Sequence, residues 1–317
     1  RVAKLKRSFL DQLVHTSEPS WNVVFIDFSD QFQFQLRNYH KLNLWNRPHV
    51  RLAVRSIVQG RHYDAETNRI VPGKIAPNLP TAGGPMLHSP YAVRTDIIDT
   101  LQQVLNIPNH TTSTSPSVET TLAKAIFDPN RHRPIDVLHL WNVSFKEGKS
   151  KLRNSVSKVI RSWNGTLQIQ KTRNVTTSIH EQGERRQVGR NMVDPAYVRA
   201  LLSAKIVVVT QKDDWEDHYR LFESMSCGAM ILHDSMIAPP KGLVDGQSII
   251  FFSSLKDLQE LALYYLKHDQ ERLAVARRGW EWSMRRHRSW HRIEELIFGR
   301  PLTNHATSTF NLTVSRL

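Results

Sequence analysis

Apolar positions along the chain fall into two rhythms. Residues 21–28 (WNVVFIDF), 135–141 (IDVLHLW), 205–210 (KIVVVT), 229–232 (AMIL) and 248–252 (SIIFF) are runs with almost no polar interruption. Such runs predict strands buried on both faces, as in parallel sheets. Between them the spacing turns helical. Ile97, Ile98, Leu101, Val104 and Leu105 share one face of a helix predicted over 91–105, and further amphipathic helices are predicted over 151–163, 195–203 and the region 255–298. From residue 135 onward strands and helices alternate, which predicts a mainly parallel sheet with helices on both sides.

The first part of the chain is less regular. A basic helix-like segment is expected over 2–14, and residues 50–58 alternate enough for a second strand carrying Arg51 and Arg55. Residues 61–90, punctuated by Pro72-Gly73, Pro77, Pro80 and Gly83-Gly84-Pro85, read as a loop that delivers His88 to the next helix. A Thr/Ser/Pro cluster at 109–117 and the Pro129 and Pro134 breaks set a boundary near Arg133. The expectation is an N-terminal α/β domain over 1–133, a Rossmann-like domain over 134–300 and a tail over 301–317. A length of 317 residues suits two domains, and 40% hydrophobic content with eight Trp argues against disorder. No apolar run is long enough to span a bilayer, and a leader or membrane anchor ahead of Arg1 stays open.

Charge narrows the partners. A formal net charge of +14 attracts polyanions of any kind, a nucleotide diphosphate included. The basic residues are spread along the chain and no zinc-finger, RNP or zipper pattern accompanies them, so nucleic acid is not the expected partner. Cys227 is the single cysteine, which excludes an internal disulfide and a cysteine metal cluster, and a small buried residue is expected there. Sequons at Asn109, Asn142, Asn164, Asn174 and Asn311 lean toward a secretory-pathway lumen (Golgi or ER), with the cytoplasm as the alternative.

The chemistry concentrates in residues 213–234, DDWEDHYRLFESMSCGAMILHD. An acidic, aromatic loop precedes a short amphipathic helix, Gly228 stops it, and an apolar strand follows. With the strand over 205–210 this makes a βαβ unit whose loop opens at the carboxyl end of a strand, where open α/β sheets bind ligands. A carboxylate at Glu223 can accept hydrogen bonds from hydroxyls, and Arg220 or the helix N-terminus can hold phosphate. The plainer alternatives are a surface carboxylate at Glu223 and charge balance of the acidic loop by Arg220 and His218. Asp213, Asp214 and Asp217 suit a helix N-terminus as well as they suit a metal, and no essential metal is expected.

FESMSCGAMIL resembles the donor-binding segment of GT-B glycosyltransferases, in which a Glu and a Cys-Gly or Ser-Gly precede a short apolar strand. The loop with Pro239-Pro240 and Gly242, then Asp245-Gly246, the strand over 248–252 and the closing basic helices are similar in order to group-one glycosyltransferases, the CgeB-like spore-protein branch above all. The resemblance covers the last third of the chain. It implies a GT-B-like fold of two Rossmann-like domains with a cleft between them, and a metal-independent glycosyltransferase with no cofactor beyond a nucleotide-diphosphate sugar. The acceptor would be a glycan or another hydroxyl compound. Glu223, Arg220, His218, Cys227 and Gly228 would line the donor site. Lys149 and Arg153, with Lys146 and Lys151, could neutralise the diphosphate leaving group. An inverting enzyme also needs a general base, and His88, Asp27 and Asp30 are the loop candidates in the first domain. Many relatives carry a second Glu eight residues before the first. That position is Trp215 here, with Glu216 and Asp217 out of register, so the retaining mechanism tied to two Glu does not follow. Two other accounts remain: an exostosin-like or fucosyltransferase-like enzyme, and a non-catalytic glycan- or polyanion-binding protein on the same fold.

Overall fold

The computed structural model describes residues 23–27, 50–54, 58–75, 86–88, 92–108, 117–140, 151–163, 169–170, 193–211, 216 and 218–298. The expected helix over 2–14, the polar loop over 171–190, the tail and all five sequon asparagines lie outside them.

Two parallel sheets carry the fold. In the first, β1 (Val23–Asp27) pairs with β2 (Val50–Val54), and β2 pairs with β7 (Met86–His88). Between β2 and β7 the chain makes two short antiparallel ladders, β3 (Val58–Gln59) with β6 (Lys74–Ile75) and β4 (His62–Asp64) with β5 (Arg69–Val71). The sequence reads this region as a loop. Its strands are only two or three residues long, too short for a period to show, and Tyr63 and Ile70 are the central buried positions that hold β4 and β5 down.

The second sheet has the order β12 (Ile250–Phe252), β11 (Met230–Asp234), β10 (Ala204–Val209), β8 (Ile135–Leu138), β9 (Ile169–Gln170), all parallel. Counted from β8, this is the doubly wound order 2-1-3-4-5, whose crossovers reverse direction between β8 and β10. Alternation within single strands supplies a core to each face. Val207 and Val209 of β10 join Leu138 and Ile231 on one side, while Ile206 and Val208 join Val137, Met230 and Leu232 on the other. The first face is covered by α1 (Thr95–Val104), α2 (Val118–Ile126), α4 (Pro195–Leu202) and α5 (Tyr219–Ser226). The second is covered by α3 (Lys151–Ser162) and α6 (Leu255–Lys267). The long helix α7 (Asp269–Arg286) gives Val275 and Ala276 to one core and Trp280 and Met284 to the other. The α/β class with parallel sheets and helices on both sides is the one expected.

Helices α1 and α2 share the core of the second sheet, through Ile97, Leu101, Leu122 and Ile126, all 0–1% exposed. Arg133 is buried there. Its guanidinium donates to the carbonyls of Ala204, Ile126 and Cys227 at 2.9, 3.3 and 3.0 Å, so one side chain satisfies free carbonyls at the ends of α2 and α5. The closing helix α8 (Ser289–Phe298) begins beside Val93, whose N–H donates to the His287 carbonyl at 2.6 Å and whose carbonyl accepts from Ser289 N–H at 3.1 Å. Among the described residues no helix is long and apolar enough to cross a membrane.

Candidate functional site

The carboxyl edge of the second sheet, at the reversal between β8 and β10, is where a doubly wound sheet opens a crevice for ligands. The residues leaving those strands there are polar and buried. His139 follows β8 and Thr210 follows β10, and the His139 Nε2 and Thr210 Oγ1 atoms are 3.2 Å apart. Ser157 Oγ on α3 is 3.1 Å from the other ring nitrogen of His139. Arg153, one turn earlier on α3, donates from Nε to the Thr210 carbonyl at 3.0 Å. Burial, with Arg220 and Arg153 nearby, pushes the His139 imidazole down to about 3, so it is neutral at physiological pH. The positive charge at the crevice is therefore held by arginine and not by histidine.

Helix α5 forms the neighbouring wall. His218 caps it, its Nδ1 accepting from the Arg220 N–H at 3.1 Å. Leu221, Phe222 and Met225 are 0–1% exposed and anchor the helix in the core. Glu223 lies on the same helix and is only 3% exposed, so the surface-carboxylate alternative does not hold. Its carboxyl is pushed up to about 7, first by burial, against the opposing effects of a hydrogen bond from Tyr197 and the charges of Arg220 and Arg94. Tyr197 Oη donates to Glu223 Oε2 at 2.6 Å. Arg220 is half-buried, and its Nε is shielded from solvent with no hydrogen-bond partner. Cys227 ends the helix, fully buried, and burial holds its thiol well above the ordinary range. Gly228 follows at φ +72°.

A second buried cluster sits at the ends of β10 and β11. Asp234 accepts from the Gln211 N–H at 2.9 Å and is ion-paired with Arg61, which reaches in from the strand-rich segment before β4. Both side chains are essentially inaccessible. His233 lies beside them and is held down to about 3 by burial and by the charge of Arg61. Glu216, 2% exposed, accepts from the Ile237 N–H at 2.8 Å and the Ala238 N–H at 2.9 Å. Burial raises its carboxyl above the ordinary value while those two amides oppose the rise. Its carboxylate thus fixes the loop after β11.

The structure brings Glu223, Arg220, His218, Cys227 and Gly228 together on one helix–turn unit, with Arg153 across the crevice. Lys149, like Lys146 and the Asp213, Asp214 and Asp217 cluster, lies outside the described residues. Asp27 and His88 end their strands at one level of the first sheet, each in register with Val54 of the strand between them. Asp30 lies outside the described residues. Sequence reasoning missed Tyr197, Arg61, Asp234 and the His139–Ser157–Thr210 set. A signal existed for two of these: His139 and Asp234 are polar residues at the carboxyl ends of apolar strands, the edge where ligands bind.

Residues 164–297 match a family model described as glycosyl transferase-like. Among solved structures the chain is similar to sucrose-phosphate synthase from Thermosynechococcus elongatus, at 12% identity and TM-score 0.47 over 88% of this chain and 66% of that one. It is similar to HepE of Anabaena in complex with UDP, at 10% identity and TM-score 0.47 over 87% of this chain and 78% of that one. TarM matches at 12% identity and TM-score 0.37 over 53% of this chain, which spans about a third (35%) of TarM's length. No curated protein matches the chain.

Proposed function

We propose that the chain is a glycosyltransferase of GT-B type that transfers a sugar from a nucleotide-diphosphate sugar to a hydroxyl acceptor. One observation carries the proposal. The segment that matches the glycosyl transferase-like model carries a buried carboxylate, Glu223, and Arg220 on the helix at the carboxyl edge of the second sheet, and Arg153 of the earlier helix α3 donates to the Thr210 carbonyl at the same edge. A buried carboxylate accepts hydrogen bonds from paired hydroxyls, and two guanidinium groups suit a diphosphate. Arg153 and Arg220 would supply the charge that stabilises the leaving diphosphate, so the reaction proceeds without a divalent ion. HepE, to which the chain is similar, binds UDP and UDP-glucose, which puts uridine nucleotides first in the panel to test.

In this account the second sheet and its helices bind the donor. The first sheet faces the acceptor, and Asp27 and His88, at the ends of the strands on either side of β2, are the candidates for the base. We assign the chain to the CgeB-like branch on the FESMSCGAMIL pattern, and to the secretory-pathway lumen on its five sequons. Purified protein incubated with UDP-, GDP- and ADP-sugars, with and without EDTA, tests the reaction. The expected result is release of one nucleoside diphosphate that survives EDTA and is lost in Glu223→Ala. No release from any donor, with acceptor mixtures present, contradicts it.

A further inference from the structure

Glu223 is steered by a residue from another helix. Tyr197 stands near the start of α4, 26 positions earlier, and its phenol donates to Glu223 Oε2 at 2.6 Å. The groups facing that carboxylate from the elements packed around it are few. Arg220 shares its helix, Arg94 and Asp96 open α1, and Cys227 closes α5. Arg94 is committed to Asp96, with contacts of 2.9 and 2.5 Å. Arg220 lies toward the Tyr219 ring, 5.3 Å from its centroid, and is also hydrogen-bonded to the Tyr197 hydroxyl. Among the described residues, the Tyr197 phenol makes the hydrogen bond that the carboxylate accepts.

A carboxylate offers about four acceptor sites, and the phenol takes one. A buried carboxyl with no donor relaxes to its neutral acid, which donates a proton where a ligand hydroxyl needs an acceptor. We infer that Tyr197 is the positioning residue of the donor site: its hydroxyl fixes the Glu223 rotamer and favours the ionised form, leaving the remaining lone pairs for the hydroxyls of a nucleotide sugar. The ligand half of this inference rests on the proposed donor role, whereas the Tyr197–Glu223 couple stands without it. The phenol itself stays protonated throughout, because burial and the adjacent carboxylate raise it well above the ordinary tyrosine range.

The test compares wild type with Tyr197→Phe, which keeps the ring and removes the hydroxyl that donates to Glu223 and partners Arg220. Carboxyl carbons of the Glu-labelled 317-residue chain are titrated by NMR, with Glu223→Gln assigning the signal, and UDP, GDP and ADP affinities are measured across pH. The wild-type carboxyl should titrate near 7. In Tyr197→Phe its midpoint should rise by about one pH unit, the change expected for losing one hydrogen bond to a charged acceptor. Nucleotide affinity should fall several-fold at pH 7 and recover by pH 9. An unchanged midpoint overturns the inference, and so does an affinity loss equal at every pH. If no nucleotide binds wild type, the donor proposal falls while the carboxyl midpoint still decides the role of Tyr197.

Discussion

A Cβ placed on Gly228 would stand 2.2 Å from Cγ2 of Ile126, far inside van der Waals contact, and Gly228 already holds φ +72°. The glycine that stops α5 is therefore set by two independent demands, a left-handed backbone and the approach of α2. Arg133 closes the same corner by donating to the carbonyls on either side of it, those of Ile126 and Cys227.

Gly228→Ala should therefore cost more than a left-handed alanine alone. The backbone contributes about 1–2 kcal/mol and overpacking a further 1–3 kcal/mol. Urea unfolding is expected to show a loss of about 3 kcal/mol with an unchanged slope. At Gly246, φ +73° with open space around it, alanine should cost only the backbone share.

The buried carboxyl of Glu223 makes stability depend on pH. Its folded value of about 7 exceeds the ordinary 4.5, so the folded state binds the extra proton. This contribution is fully present below pH 4.5 and is lost as pH rises through 7, by about 3 kcal/mol in all. Glu223→Gln removes the ionisation. Its melting temperature should match wild type near pH 4.5 and exceed it by several degrees at pH 8. A variant less stable than wild type at pH 8 would contradict the assigned burial.

The Arg61–Asp234 pair joins residues 173 positions apart, with both side chains inaccessible. Breaking one partner strands the other charge, at about 3–5 kcal/mol. Asp234→Asn should lower stability by that amount. Arg61→Met combined with Asp234→Asn should cost clearly less than the sum of the two single changes, with a coupling above about 1 kcal/mol in a double-mutant cycle. Additive losses would show that the contact is not an ion pair in solution.

What the sequence disclosed follows from the range of the interactions involved. The runs at Ile206–Val209 and Met230–Leu232 are apolar on both faces because helices cover both, and local pattern alone reveals that. The stop at Gly228 and the helix carrying Glu223 were legible for the same reason. The strands β3 to β6 hid in a Pro- and Gly-rich stretch because two- and three-residue ladders have no period. Tyr197, Arg61 and Asp234 were invisible as a group, since each acquires its role from a partner 26 or 173 residues away. The helices on either side of residues 109–117, α1 and α2, pack into one core with β8 and β10, a long-range contact that local composition does not disclose.

The central claim is that Glu223 and its arginines hold a nucleotide donor, and a thermal-shift screen against UDP, GDP, ADP and CMP tests it most directly. A nucleotide at a hundred times its dissociation constant stabilises by about 2.7 kcal/mol, enough to move the melting curve by several degrees. The account predicts a shift with one nucleoside diphosphate, equal with and without a divalent ion and abolished by Glu223→Ala. Melting curves that stay in place with all four nucleotides, or an undiminished shift in Glu223→Ala, would contradict it.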